Sequence, residues 1–164
     1  MFTVDLTGAD PLSAKLSTIP AVVRAALAAK AADLAKRLQA HVVQDKLSGQ
    51  VLQSKTGALK ASIRTAIETN RDAIHVRVFS SGDVKYAAIQ EYGGQTPPHE
   101  IVPDKVKALA FMVGGKQVFA KVVHHPGSKI PARSYMGSAL ADMAGQISAE
   151  LKAVVVEALA GGMS

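Results

Sequence analysis

Cysteine and tryptophan are absent from this 164-residue chain, and other aromatic side chains are few, with four Phe and three Tyr. Without cysteine there is no disulfide framework and no thiolate metal centre, so a reducing compartment is a permissible place to fold. Scarce aromatics leave a core of aliphatic side chains and argue against a pocket that stacks sugars or bases. Long apolar runs are missing as well. A bilayer span needs roughly 18 uncharged apolar residues, and the most apolar stretches, residues 20–38 and 136–159, are both broken by charges. The opening Met1-Phe2-Thr3-Val4-Asp5 has no basic stretch leading into an apolar run. Neither a signal peptide nor a membrane partner is therefore expected.

What is present is a globular composition. Hydrophobic residues make up 48% of the chain, the mean hydropathy is +0.16, and the length suits one domain that buries most of its apolar surface unaided. The net charge of +6 is unevenly spread. Residues 46–133 hold 13 Lys and Arg against 6 Asp and Glu, residues 1–45 hold 5 against 4, and residues 134–164 hold 1 against 3. A basic middle suits an anionic partner, either DNA or an acidic protein surface. A solvated lysine-rich surface accounts for the same charge.

Hydrophobic periodicity sets out the elements. Between residues 20 and 47, Val23, Leu27, Ala31, Leu34, Leu38 and Val42 recur at spacings of three and four, one face of a helix. Ser17 or Thr18 serves as its cap, Pro20 falls in its first turn, and Ser48-Gly49 stops it. The period then changes to two. Ile63, Thr65 and Ile67, then Ile74, Val76 and Val78, alternate with other residues on either side of the polar turn at 69–72, which predicts an antiparallel hairpin. Leu109, Phe111 and Val113 open a second hairpin, which turns at Gly114-Gly115-Lys116 and returns over 118–123. Residues 84–92 read as a short helix between the hairpins, ended by Gly93-Gly94. Met136, Leu140, Met143, Ile147, Leu151, Val154 and Ala158 define a long final helix. The expected fold is α+β, an antiparallel sheet of two hairpins covered by the long N-terminal and C-terminal helices. Residues 1–17 are expected to form a flexible arm, and 18–164 one domain.

Motifs that carry chemistry are not found. There is no Gly-x-Ser-x-Gly, no phosphate-cradling Gly-x-x-x-x-Gly-Lys-Ser/Thr and no Gly-x-Gly-x-x-Gly. His124 and His125 are adjacent, so on a strand they face opposite sides and are poor co-ligands for one metal. His99 and Glu100 would join them only if their loops met, which is the one arrangement that suggests a metal-dependent hydrolase. Glu91, alone in an apolar helix, is a candidate for holding a neighbouring Lys or Arg. Zinc-finger spacing, a basic zipper and a base-stacking aromatic pair are also missing. Any contact with DNA would be electrostatic and indifferent to sequence. The chain is read as neither an enzyme nor a cofactor binder.

Four segments, in order, carry a family resemblance. They are Thr56-Gly57-Ala58-Leu59-Lys60-Ala61-Ser62-Ile63, Tyr86-Ala87-Ala88-Ile89-Gln90-Glu91-Tyr92-Gly93, Ile101-Val102-Pro103 with Lys107-Ala108-Leu109-Ala110-Phe111, and His125-Pro126-Gly127 with Ile130-Pro131-Ala132-Arg133-Ser134-Tyr135-Met136. Together they resemble the phage tail-completion and head-tail joining proteins typified by the tenth gene product of phage HK97. The resemblance spans roughly residues 20–160 and implies a single tail-completion-like domain over 18–164. It further implies a non-enzymatic virion protein, made in the host cytoplasm, that assembles as a ring at the head-tail junction beside connector and tail proteins. DNA in transit would meet basic side chains without being read. The alternative is a small non-specific DNA-binding protein. A closed ring needs head-to-tail contacts, and the Pro- and Gly-rich loops 95–103 and 124–133 are the expected donors. Candidate interface residues are Tyr86, Glu91, Tyr92, His99, Pro103, His125, Pro126, Lys129, Pro131 and Arg133. Which residues would face the DNA path is not given by the sequence.

Overall fold

The computed structural model describes residues 2–5, 21–70, 73–82, 84–104 and 106–161. Its first long element is α1 (Ala21–His41), alanine-rich and therefore of high helical propensity. Val23, Leu27, Leu34, Ala35 and Leu38 are its buried stripe, so the apolar face expected from spacing is the packed one. Pro20 and the two proposed caps lie outside the described residues. From Val42 to Lys46 the helix continues as one π turn, in which the Leu47 N–H donates to the Val42 carbonyl at 2.9 Å. That wider turn keeps Val42, Lys46 and Leu47 all buried.

A short helix not anticipated from the sequence, α2 (Ala58–Ser62), leads directly into β2 (Ile63–Thr69). β3 (Ile74–Ser80) returns antiparallel, Ile63 facing Ser80 and Thr69 facing Ile74. Arg77 forms an ion pair with Glu68 across this hairpin. A further strand, β1 (Phe2–Asp5), lies on the other side of β3, with Phe2 opposite Ser80 and Asp5 opposite Arg77. Part of the expected arm is thus a strand of the main sheet, whose order is β1-β3-β2; the rest of residues 1–17 lies outside the described residues. Backbone pairing explains the difference, since a four-residue strand can be held by a neighbour's free edge without a long pattern of its own.

Beyond the sheet come α3 (Ala87–Tyr92), β4 (Gly94–Gln95), β5 (His99–Ile101), β6 (Leu109–Val113), β7 (Lys116–Ala120), β8 (Val123–His125), β9 (Lys129–Ile130) and the long α4 (Tyr135–Gly161). The fold is α+β, with antiparallel strands in hairpins, a short helix between them and a long helix near each end. β6 and β7 form a two-stranded sheet of their own.

Leu34, Leu38, Val42, Leu47, Leu59, Ile63, Val78, Tyr135, Met136, Ala139, Met143 and Ile147 belong to one core, where each fully buried large side chain is worth about 1.5–3 kcal/mol. α1 packs on β2 and β3 and on α4. The two long helices run antiparallel: Val23 and Leu27 pack with Leu151, Val154 and Ala158, while His41 and Lys46 reach Asp142. Between these ends the Arg37 guanidinium binds both Glu150 oxygens, at 2.8 and 2.9 Å, and Lys30 lies 3.5 Å from the same carboxylate.

Candidate functional site

The second and fourth resemblance segments meet. α3 carries Glu91 into the start of α4, where its side chain is 2% exposed. Glu91 Oε2 accepts the Met136 N–H at 2.9 Å, and Oε1 accepts the Gly137 N–H at 2.9 Å and the Ser134 hydroxyl at 2.7 Å. A carboxylate placed here satisfies orphan donors of the first turn and complements the positive end of the helix. Glu91 therefore holds backbone rather than a lysine or arginine, and its burial removes it from the candidate interface. The reason is local: two backbone N–H groups of the first turn of α4 and the Ser134 hydroxyl converge on the carboxylate.

The clasp is reinforced around that carboxylate. The buried Tyr135 hydroxyl donates to the Ala87 carbonyl at 3.3 Å. Burial, with the nearby Glu91 charge adding, pushes its phenol far above the ordinary range. The Arg133 N–H donates to the Gln90 carbonyl at 2.8 Å. Gly93 at φ +72° closes α3, and a Cβ there would lie 2.7 Å from the Ala132 nitrogen. Glycine is thus required both by conformation and by the close approach of the two chain segments.

Loops 95–103 and 124–133 are not independent loops. They zip together as two antiparallel ladders, with Gly94 opposite Ile130 and Gln95 opposite Lys129, then His99 opposite His125, Glu100 opposite His124 and Ile101 opposite Val123. Pro97-Pro98 on one side and Pro126-Gly127 on the other interrupt the pairing, because proline brings no N–H. Thr96 bridges the break, its N–H donating to the Ser128 carbonyl at 2.9 Å while its hydroxyl accepts the Ser128 N–H at 2.7 Å.

This register decides the histidine question. His99 and His125 share one face, their rings stacked at 4.9 Å. Glu100 and His124 share the opposite face, 3.2 Å apart and both well exposed. The four side chains are therefore split between two faces. Among the described residues no group of three or more His, Asp or Glu is placed to hold a metal ion.

Of the remaining interface candidates, Tyr86 and Tyr92 flank α3 with exposed rings, and Pro126, Lys129, Pro131 and Arg133 are exposed along the second ladder strand and the lead into α4. Pro103 and His125 are half-buried, and His99 is exposed.

One exposed apolar feature escaped the sequence reading. β6 and β7 pack chiefly on each other, and Phe111, Met112, Val113, Val118 and Phe119 are all exposed. The signal was present: Leu109-Ala110-Phe111-Met112-Val113 is apolar in both phases of a strand. Such a strand has no polar face to give to water. Among the described residues no helix is long and apolar enough to cross a membrane. Neither family models, curated proteins nor solved structures give a match to this chain.

Proposed function

We propose that this chain is a structural virion protein of a tailed bacteriophage or prophage, acting at the head-tail junction in tail completion or head-tail joining. It assembles there as a ring beside connector and tail proteins, after synthesis in the host cytoplasm, and it performs no catalysis. The observation that carries the proposal is the β6–β7 hairpin, which exposes large apolar side chains on both faces. An isolated two-stranded hairpin is only marginally stable in water, and an apolar surface of this kind marks a site that a protein partner covers. The joining of two resemblance segments around Glu91 supports the same reading, since their spacing in the sequence corresponds to one structural unit.

The basic middle supports contact with DNA passing through the ring. Lys55, Lys85, Lys107, Lys116, Lys121 and Lys129 are exposed, and charges spread in this way neutralise phosphates without reading bases. The second reading, a small non-specific DNA-binding protein, rests on that charge alone. The deciding experiment is electron microscopy of particles from a producing strain that carries an early nonsense codon in this gene. Filled heads with separate tails, or tails of abnormal length, are the expected result. Intact infectious particles would remove the virion role and leave DNA binding as the better reading.

A further inference from the structure

The β6–β7 hairpin stands out from the body of the protein, with every residue from Ala110 to Phe119 exposed. Gly114 and Gly115, at φ 56° and 81°, form a two-residue turn whose twist matches that of its strands. Such a turn makes the residues on either side of it a hydrogen-bonded pair. Val113 with Lys116, Phe111 with Val118 and Leu109 with Ala120 therefore exchange the bonds inside the hairpin. The residues between them, Ala110 and Met112 on β6 and Gln117 and Phe119 on β7, turn their N–H and C=O groups outward. Among the described residues these groups have no hydrogen-bond partner, because β6 and β7 make a sheet of two strands.

The hairpin thus carries two free edges, each a template for a further strand. The main sheet treats its edge differently. At the start of β2 the Ile63 carbonyl accepts from Gln39 Nε2 at 2.7 Å and from the Arg64 guanidinium at 3.1 Å. Side chains there occupy a position that an incoming strand would need.

The two edges of the hairpin differ in charge. Leu109-Ala110-Phe111-Met112-Val113 has none, whereas β7 begins with Lys116 and is followed by Lys121. Two β7 edges paired antiparallel set Lys116 of each towards Lys121 of the other, like charge against like. Two β6 edges meet no such repulsion, but their pairing leaves both β7 edges bare. Only β7 against β6 uses both edges of every hairpin. It also sets Val118 and Phe119 among Phe111, Met112 and Val113, aromatic beside aliphatic on both faces.

We propose that β7 of one copy pairs antiparallel with β6 of the next, so that the hairpins of successive copies form one continuous sheet. The contact rests on the ring proposed above and names its subunit interface. Unlike edges make it head-to-tail, and a head-to-tail contact that turns through a full circle closes into a ring. A ring of hairpins paired in this way is a closed barrel, the arrangement that leaves no edge. Its apolar faces stay available to connector and tail proteins.

Proline at an outward position removes one edge N–H and leaves the bonds inside the hairpin intact. Ala110→Pro in β6 and Gln117→Pro in β7 each disable one edge. Ala110→Ser and Gln117→Ala keep the N–H and serve as controls. In sedimentation of the full chain, wild type and both controls are expected to form species larger than a dimer. Each proline variant alone is expected to self-associate at least about tenfold more weakly. Mixed in equal amounts, the two are expected to form a dimer and nothing larger, because the intact β7 of the first meets the intact β6 of the second. Misfolded variants would not restore that dimer. A wild-type chain that stays monomeric at every concentration would overturn the inference. So would a proline variant that assembles like wild type, one that dimerises alone by pairing like edges, or a mixture that stays monomeric. The nonsense-codon particles read the role and the mixture reads the contact. A mixed dimer with normal particles removes only the virion role, and defective particles without a mixed dimer remove only this contact.

Discussion

Glu91 and Met136 are joined side chain to backbone across 45 residues of sequence, the Met136 N–H donating to Glu91 Oε2 at 2.9 Å. One carboxylate thereby fastens α3 to the first turn of α4 and fixes where the longest helix begins. Glu91→Ala leaves two backbone donors and the Ser134 hydroxyl without this acceptor, and is expected to cost about 3 kcal/mol. Glu91→Gln keeps one oxygen but turns an NH₂ group towards an N–H donor, and is expected to cost about 1–2 kcal/mol. Urea denaturation of the three proteins checks the order. Equal stability of wild type and the alanine variant would mean the clasp contributes nothing.

Glycine at position 127 holds the two ladders in register. Its φ of +87° is unfavourable for any L side chain, and a Cβ there would run into the Thr96 carbonyl oxygen. Gly127→Ala is therefore expected to cost about 2 kcal/mol or more and to open the 95–130 region. Gly82 is the control: its φ is +79°, but nothing lies within 4 Å of its built Cβ. Gly82→Ala is expected to cost only about 1 kcal/mol, from conformation alone. Limited proteolysis mapped by mass spectrometry distinguishes the two, with new cleavage between Gln95 and Ile130 appearing only in the Gly127 variant.

Much of this architecture was legible because it depends on period. α1 and α4 announce themselves through Val23, Leu27, Leu34 and Leu38 and through Met136, Met143 and Ile147, all of which the structure buries. β2, β3, β6 and β7 follow from alternation and from turn residues. The elements that stayed hidden are those too short to show a period. The four residues of β1 and the two- and three-residue ladders around His99 and His125 are fixed by pairing partners distant in the chain. Glu91 stood out as a lone acid among apolar neighbours, yet nothing local names its partners, which are backbone groups of α4. Lys46 was hidden for a different reason. Its spacing from Leu38 and Val42 continues the buried stripe, but a lysine reads as a surface residue and nothing local names Asp142 as its partner.

His41 bridges two carboxylates, Nδ1 lying 2.6 Å from Asp45 and Nε2 3.0 Å from Asp142. Its pKa is raised above the ordinary 6.5, through its hydrogen bond to Asp142 first and Asp45 second, and that of Asp142 is lowered below 3.8, chiefly by Lys46 and then by His41. A raised histidine stabilises the fold fully below its unfolded value and loses that contribution as pH rises through the folded value. A lowered carboxylate does the reverse, contributing above its unfolded value and losing the effect as pH falls through the folded one. The cluster should therefore support the α1–α4 pair best between about pH 4 and 6.5, the two ordinary values. Melting temperature measured across pH should fall on the alkaline side of this window in wild type. The slope should flatten in His41→Gln, and an unchanged slope would show that the imidazolium is not part of the pairing.

Lys46 is the buried partner in the same cluster, its side chain 6% exposed and its Nζ 2.6 Å from Asp142 Oδ2, whereas that aspartate remains half exposed. The asymmetry determines what each substitution does. Removing the carboxylate strands a buried ammonium without a counter-ion, the more damaging loss. Replacing the ammonium by an apolar side chain of similar length frees a carboxylate that water and His41 still solvate. Asp142→Asn is thus expected to destabilise the protein clearly more than Lys46→Met. The double variant should be no worse than Asp142→Asn alone, since the methionine removes the charge that the asparagine left unpaired. A double-mutant cycle in urea checks this: if the two losses simply add, the ammonium and the carboxylate are not coupled. Coupling would identify the Lys46–Asp142 pair as a contact that ties the end of α1 to α4 and helps fix the register of the two long helices.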